Sequence, residues 1–533
     1  MKSIRAIGRQ ISSYFQSHHD ATLREAAESA GTSISSVHRH KHAMIKRHQH
    51  PESGMWDTEA GFRWLIRVVC ATIYIFGIRG GIGMETITEF FRLIRLDTHI
   101  GVSPSSLHRL TRRIEAVILE YKETYEHRKE GVTQVIVGAD ETFFEKVILV
   151  MIDLGSGYIL LEETADNRTF LTWHEKATHA LHRLGLQVRY MVSDQAKALT
   201  KLALDGLGCQ RIPDLFHAMH DLVKLMGGRF ATKRSRIQTH LSNALKTVAH
   251  LRETGASPDT LHVQEQVIAD LQDEQQQLLE GQTRYYEVLH AVSMAMHPFS
   301  LSTPRPHTSG EAMDTVYDLL KTLDALRDAY GIADSKNRIK KVTRQVEEIA
   351  AVIDIWWMWV RESLSDYALN PEFECWVVNG LLPVVYWDMH VQRTATAALK
   401  EAYQEAHADA VERVQRHRVT ATLRHDELSR WNSWAEWIVT KFQRTSSAVE
   451  GRNGVLSRMN HNQRSIPVQR LKVLTVIHNF GITRQDGTTA AERLFGEPFP
   501  DLFEWIVERI DDLPLPRTRV TSPSYQACPA LGG

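Results

Sequence analysis

The spacing of hydrophobic positions changes three times along the chain. Over residues 21–47 it is helical on both sides of a glycine. Leu23, Ala26 and Ala27 mark the buried face of one short helix, Gly31 the tight turn, and Ile34 and Val37 the buried face of a second, with Ser33 as its N-cap. That pattern predicts a helix-turn-helix. Residues 56–128 stay helical, with a second candidate hairpin from Met84 to Arg113. In it, Ser103-Pro104 puts proline in the first turn of a helix, and His108, Arg109, Arg112 and Arg113 would form a basic face.

From residue 132 the period drops to 2. Val132–Val137, Val147–Asp153, Gly157–Glu163, Gln187–Ser193 and Gln210–Leu215 read as strands, with helices at Phe170–Leu184 and Gln195–Leu207. The order β-β-β-α-β-α-β predicts a three-strand meander followed by right-handed crossovers, hence one mixed sheet. In such a sheet the first and fourth strands are neighbours. Residues 230–440 return to helical spacing: a long Gln- and Glu-rich helix over Leu261–Leu289, then helices over about 311–329, 337–365 and 391–440. A helix through Glu450 to about Asn460 and another over Val468–Phe480 follow, and the tail from Pro514 has a disordered composition. The expected divisions are therefore 1–55, 56–130, 131–228, a helical insertion at 229–440, 441–495 and 496–533.

Three acidic residues occupy informative places in this scheme. Asp140 ends the apolar run Val135–Ala139, Asp194 ends Val188–Ser193, and Glu450 sits in the helical stretch Ser446–Asn453. Because the first and fourth strands should be adjacent, Asp140 and Asp194 should meet. Carboxylates are hard oxygen ligands suited to Mg2+ or Mn2+. A pair of such ions about 3.5–4 Å apart can clamp the attacking and leaving oxygens of an in-line phosphoryl transfer. Strand alternation turns Glu141 to the opposite face, and Asp153, at the end of the second strand, is a candidate bystander in the cleft. His217 and His220, just after the fifth strand, are candidate auxiliary groups that could contact a phosphate or position water, with packed histidines as the alternative.

Charge sharpens the choice of partner. The chain as a whole carries a net charge of −1, so a nucleic-acid partner must be met by local patches. Residues 1–50 hold eight Lys/Arg against three Asp/Glu, and residues 441–470 hold six against one, which is Glu450. In the first patch Ser35, Ser36, His38, Arg39 and Lys41 would face DNA; in the second Arg444, Arg452, Asn453 and Arg458 would hold its backbone. Four scattered cysteines without a CxxC pair argue against a disulfide framework or a Cys-rich zinc site and fit a reducing, cytoplasmic compartment. The longest apolar run, Val68–Ile78, has about half the length of a membrane span, and the N-terminus shows no signal-peptide core, so no membrane partner is expected. Eight tryptophans between Trp356 and Trp437 read mostly as core or helix-packing residues, with stacking on an unpaired DNA base as the alternative.

At this point the chain resembles a bacterial insertion-sequence transposase of the DDE class, within the ribonuclease H-like superfamily of transposases and retroviral integrases. The resemblance rests on Gly138-Ala139-Asp140-Glu141-Thr142, Val192-Ser193-Asp194-Gln195-Ala196 and Ser446–Asn453, and on His478-Asn479-Phe480 followed by Asp486 to Leu494. It covers about residues 132–225 and 440–495. It implies a ribonuclease H-like α/β catalytic domain interrupted by an all-helical insertion. Asp140, Asp194 and Glu450 become catalytic metal ligands for two Mg2+ or Mn2+ ions. The partners become transposon terminal inverted repeats and target DNA, bound by a homodimer or larger assembly, and the bacterial protein would associate with the nucleoid when on DNA. The implied activity is metal-dependent hydrolysis at transposon ends, then attack of the freed 3′-hydroxyl on target DNA. A nuclease of the same fold without strand transfer and a transposase-derived, non-catalytic DNA-binding protein are the alternatives; a helical scaffold on residues 230–440 would leave the aspartates unexplained.

Overall fold

The computed structural model describes residues 4–48, 55–56, 58–131, 133–194, 196–301, 305–463, 465–484 and 486–516. The chain divides into two units, Met1–His127 with Gly454–Gly533, and Arg128–Asn453.

The first unit opens with three helices, α1 (Ile4–Ser17), α2 (Leu23–Ala30) and α3 (Ile34–His48). Ile11, Ala26, Ala27, Ala30 and Val37 form their core, with Leu23 packed at its margin. Thr22 and Glu25 cap α2 reciprocally, and Gly31, at φ 63°, makes the left-handed turn that an L side chain would resist. Ser33 accepts the Ser36 N–H, so the expected N-cap is present. Ile34 is not in the core as expected but 48% exposed.

Next come α4 (Glu59–Thr72), α5 (Met84–Leu93) and α6 (Pro104–Tyr125). The continuous helical stretch Glu59–Arg79, mean hydropathy 1.5, is the one among the described residues long and apolar enough to cross a membrane. It is longer than the run legible in the sequence, and half of it is buried within the protein.

The second unit carries five strands, β1 (Thr133–Phe143), β2 (Val147–Asp153), β3 (Ile159–Ala165), β4 (Leu186–Ser193) and β5 (Gln210–Pro213), with α7 (Phe170–Leu184) between β3 and β4 and α8 (Lys197–Lys201) between β4 and β5. The sheet order is β3-β2-β1-β4-β5. β1–β2 and β2–β3 are antiparallel; β1–β4 and β4–β5 are parallel. The expected mixed sheet and the pairing of its first and fourth strands are therefore both present.

A single helix runs across the expected boundary near residue 228. β5 leads directly into α9 (Leu215–Glu253), one continuous helix of 39 residues, which returns as α10 (Pro258–Ala295). No break occurs because the buried series Leu222, Leu225, Met226, Phe230, Ile237, Leu241, Ala244 and Val248 continues through the site. Further helices are α11 (Ser309–Ala329), α12 (Arg338–Thr343), α13 (Val346–Ser365), α14 (Pro371–Trp376), α15 (Leu382–Arg393), α16 (Ala397–Arg416), α17 (Arg418–Thr422) and α18 (His425–Val439). Trp356, Trp376 and Trp387 are fully buried, and of the eight tryptophans only Trp437 is largely exposed.

The chain closes with α19 (Ser447–Gln463), α20 (Val468–Val476), α21 (Ala490–Phe495) and α22 (Leu502–Arg509). Part of the tail expected to be disordered is anchored, since Pro514 accepts a 2.6 Å hydrogen bond from the Gly101 N–H. Residues from 517 onward, including Cys528, lie outside the described residues, as do Val132 and Gln195.

Candidate active site

The acidic residues gather where β1 outruns β4. The last parallel pair between these strands is Ala139 with Ser193, and one step further stand Asp140 and Asp194. At the usual strand spacing this sets their backbones about 5 Å apart. Asp140 is not at a strand end, as its apolar run suggested. β1 continues to Phe143 because β2 pairs with it through Val147, whereas β4 stops at Ser193. Asp194 then turns the chain, accepting the Ala196 N–H at 2.9 Å.

Glu450 is delivered by α19, and a glycine sets how closely that helix approaches. A Cβ on Gly138 would lie 2.8 Å from Val449 Cγ2, 2.8 Å from Leu154 Cδ2 and 3.3 Å from Ser446 Cβ. Gly138 shares a sheet face with Asp140, two residues on. Only a bare backbone lets the first turn of α19 settle there, with Val449 fully buried.

Three further contacts fix the helix. The Ser446 hydroxyl donates to Asp214. Arg452 makes a two-pronged pair with Glu162, both bonds 2.6 Å, and both residues are about 95% buried. Glu162 lies on the row Asp140–Val150–Glu162 that crosses β1, β2 and β3. Asn453 Nδ2 donates to Asp140 Oδ2 at 2.8 Å, while its Oδ1 is buried without a partner.

The site is electrically strained. The Asp140 carboxyl is pushed up to about 7, first by burial and then by the charges of Glu450, Asp194 and Glu141; a backbone hydrogen bond at Glu141 acts in the opposite sense. Glu450 affects Asp140 more strongly than Asp194 does. Among the described residues, no group of three or more His, Cys, Asp or Glu is already drawn tightly enough to hold a metal ion. The three carboxylates share a field rather than a finished ligand sphere.

His217, in the first turn of α9, joins this cluster. Its Nδ1 lies 3.1 Å from Asp214 Oδ2 and its Nε2 3.6 Å from Glu450 Oε1. The hydrogen bond to Asp214 holds its pKa above the ordinary value, assisted by the charges of Asp214, Glu450 and Asp140 and opposed by burial. His220 does not share this position. It is exposed and stacks on Phe216, ring centroids 6.0 Å apart.

The basic residues expected to hold DNA near Glu450 divide. Arg452 is consumed by Glu162 inside the protein, and Arg444 turns inward to the carbonyls of Ser293 (2.8 Å) and Met296 (3.2 Å). Asn453 serves Asp140. Arg458 is exposed on α19. The two inward arginines fill needs that local sequence does not reveal: a buried carboxylate and an unsatisfied helix end.

In the N-terminal helices, Ser35, His38, Arg39 and Lys41 are exposed and Ser36 is half-buried. Arg39 bonds to the Ser35 carbonyl and the Ser36 hydroxyl, and Lys41 covers the Phe15 ring at 4.6 Å. Glu141 points to the other face of the sheet, as alternation required, accepting Trp173 Nε1 of α7 at 3.1 Å. Asp153 caps the β2–β3 turn through Ser156.

Sequence reasoning missed Asp214, Ser446 and Glu162. The glycine inside β1 was the available signal for a close approach. Asp214, directly after the last strand, had the signature of an N-cap, and it caps α9 through the Phe216 N–H.

Residues 377–522 match DUF6399, a family of unknown function. The matched segment contains Glu450, Arg452 and Asn453 but neither aspartate. Among curated proteins none matches the chain.

Proposed function

We propose that this protein is a DNA transposase of the DDE class, with Asp140, Asp194 and Glu450 as its catalytic carboxylates on a ribonuclease H-like sheet. One observation carries the reading. The parallel register of β1 and β4 sets two aspartates abreast, and a helix seated on Gly138 adds a glutamate whose charge acts on Asp140. The sheet order β3-β2-β1-β4-β5, with one antiparallel meander and two parallel additions, supports the fold assignment.

The residues suit divalent cations. All three donors are hard oxygen ligands, Asp140 is crowded by like charge, and the buried cation Arg452 on the same helix as Glu450 is neutralised by Glu162. The orphaned Asn453 Oδ1 adds a neutral oxygen beside them. Mg2+ or Mn2+ held by Asp140, Asp194 and Glu450 would polarise the scissile phosphate and favour the oxyanion of water or of a DNA 3′-hydroxyl. Asn453 orients the Asp140 carboxylate, and the Arg452–Glu162 pair fixes the pitch of α19. His217, held by Asp214, sets its imidazole beside Glu450.

Exposed Ser35, His38 and Arg39 on α3 would read end DNA, and a dimer would hold two ends together. The test is incubation with duplex DNA carrying the element's end, with Mg2+ or Mn2+. The expected outcome is an end nick followed by a joined product, both lost in Asp140→Asn, Asp194→Asn and Glu450→Gln. Cleavage without joining would make the chain a nuclease. Binding without any metal-dependent cut would make it a DNA-binding protein.

A further inference from the structure

The long helix that begins at the acidic site is one-sided in charge. Between Lys224 and Arg252, α9 holds seven Lys/Arg and no Asp/Glu, whereas its antiparallel neighbour α10 holds seven Asp/Glu and one Arg. These opposite charges do not cancel across the seam. Among the described residues Arg252 pairs with Glu265 at 2.7 Å, but Lys224, Arg229, Arg234, Arg236 and Lys246 form no ion pair.

The seam explains why. The buried positions Ile237, Leu241, Ala244 and Val248 recur at three- and four-residue spacing and turn one stripe of α9 toward α10. Residues 229, 233, 236, 240, 243, 247 and 250 follow the same spacing on the neighbouring stripe. They are Arg, Lys, Arg, His, Asn, Thr and His, all exposed and all able to donate hydrogen bonds. From Arg229 to His250 the stripe is about 31 Å long, close to one turn of B-form duplex. A second basic segment adjoins it. α12 packs on α9, where Lys341 pairs with Asp221, and residues 336–344 hold five Lys/Arg and no acid.

We propose that this stripe of α9, with α12 beside its base, is a phosphate track for duplex DNA running outward from the acidic site. His217, beside Glu450, lies on the same unbroken helix about 18 Å before Arg229. The stripe offers cations and small donors and no Phe, Tyr or Trp, so it suits a backbone of regularly spaced phosphates better than unstacked bases. The choice of DNA rests on the function proposed above; the polyanion-binding surface does not.

The test is the triple variant Arg229→Gln/Lys233→Gln/Arg236→Gln, with Lys400→Gln as an exposed control in the same unit. Glutamine preserves helix propensity, and circular dichroism checks the fold. Binding of a 40-base-pair duplex is measured in EDTA across a salt series. Three lost phosphate contacts should reduce the slope of log K against log salt by about 2.7 and weaken binding by roughly 10- to 100-fold at moderate salt. Lys400→Gln should match the wild type. An unchanged slope in the triple variant overturns the track, and so does an equal effect from Lys400→Gln. Tighter binding of duplex RNA than of duplex DNA overturns the choice of partner. Because the readout excludes metal, a chain that binds along α9 yet never cuts would sink the proposed function and leave the track standing.

Discussion

Replacing Asp140 by Asn removes a charge that the folded protein holds at a cost. The Asp140 carboxyl rises from an ordinary 3.8 to about 7, so the folded state binds its proton more tightly than the unfolded chain does. Its contribution to stability is therefore complete below 3.8 and is lost as pH climbs to about 7. Each pH unit in that window is worth about 1.4 kcal/mol, so the wild type should lose up to about 3 kcal/mol between pH 5 and pH 7 that the Asn variant keeps. Asn matches Asp in shape and still offers an oxygen to Asn453 Nδ2. The assay is urea unfolding of both proteins at pH 5, 6, 7 and 8 in EDTA. The variant should gain on the wild type from pH 5 to pH 7 and hold a constant lead above. Added Mg2+ should shrink that lead, because only the wild type gains a ligand for its charge. A difference that is flat from pH 5 to pH 8 would refute the reasoning, because it would mean that Asp140 carries no strained charge.

Gly138→Val should cost about 1–3 kcal/mol and abolish cleavage, since a Cβ there meets Val449 and Leu154 at 2.8 Å; thermal melts and a nicking assay check both. Glu162→Gln should destabilise by about 3–5 kcal/mol by stranding buried Arg452, while Glu162→Met/Arg452→Met together should recover much of the loss in urea titrations. His217→Gln should remove stability that is present below pH 6.5 and fades as pH rises through the raised folded value, so its melting temperature should approach wild type in alkaline buffer.

What could be read from the sequence was what depends on local period. Val147–Asp153 and Phe170–Leu184 have the bounds that alternation and helical spacing assign them, and Ser33 and Ser103 cap the helices they precede. The neighbouring first and fourth strands followed from connection rules, and the Asp140–Asp194 approach followed from them. Partners remote in the chain stayed hidden. Nothing near Arg452 announces Glu162, 290 residues earlier, and nothing near Arg444 announces the carbonyls that end α10. A basic residue looks the same in sequence whether its partner is a phosphate or a buried carboxylate. The helix that runs on through residue 228 stayed hidden for a related reason, because one helix serves both the acidic site and the arm beyond it.

The order of the chain also sets a schedule for synthesis. Asp140 and Asp194 emerge early, but Glu450 follows Asp194 by 256 residues. At about 5–20 residues per second that interval is roughly 13–50 s, during which the sheet can form while its third carboxylate does not yet exist. Any product truncated before α19 would carry both aspartates without Glu450, Asn453 or the Arg452 clamp. On the proposed function, a ribosome-bound or broken chain would hold DNA through α3 and α9 while lacking the means to cut it. Competence would come late in synthesis, when α19 seats on Gly138.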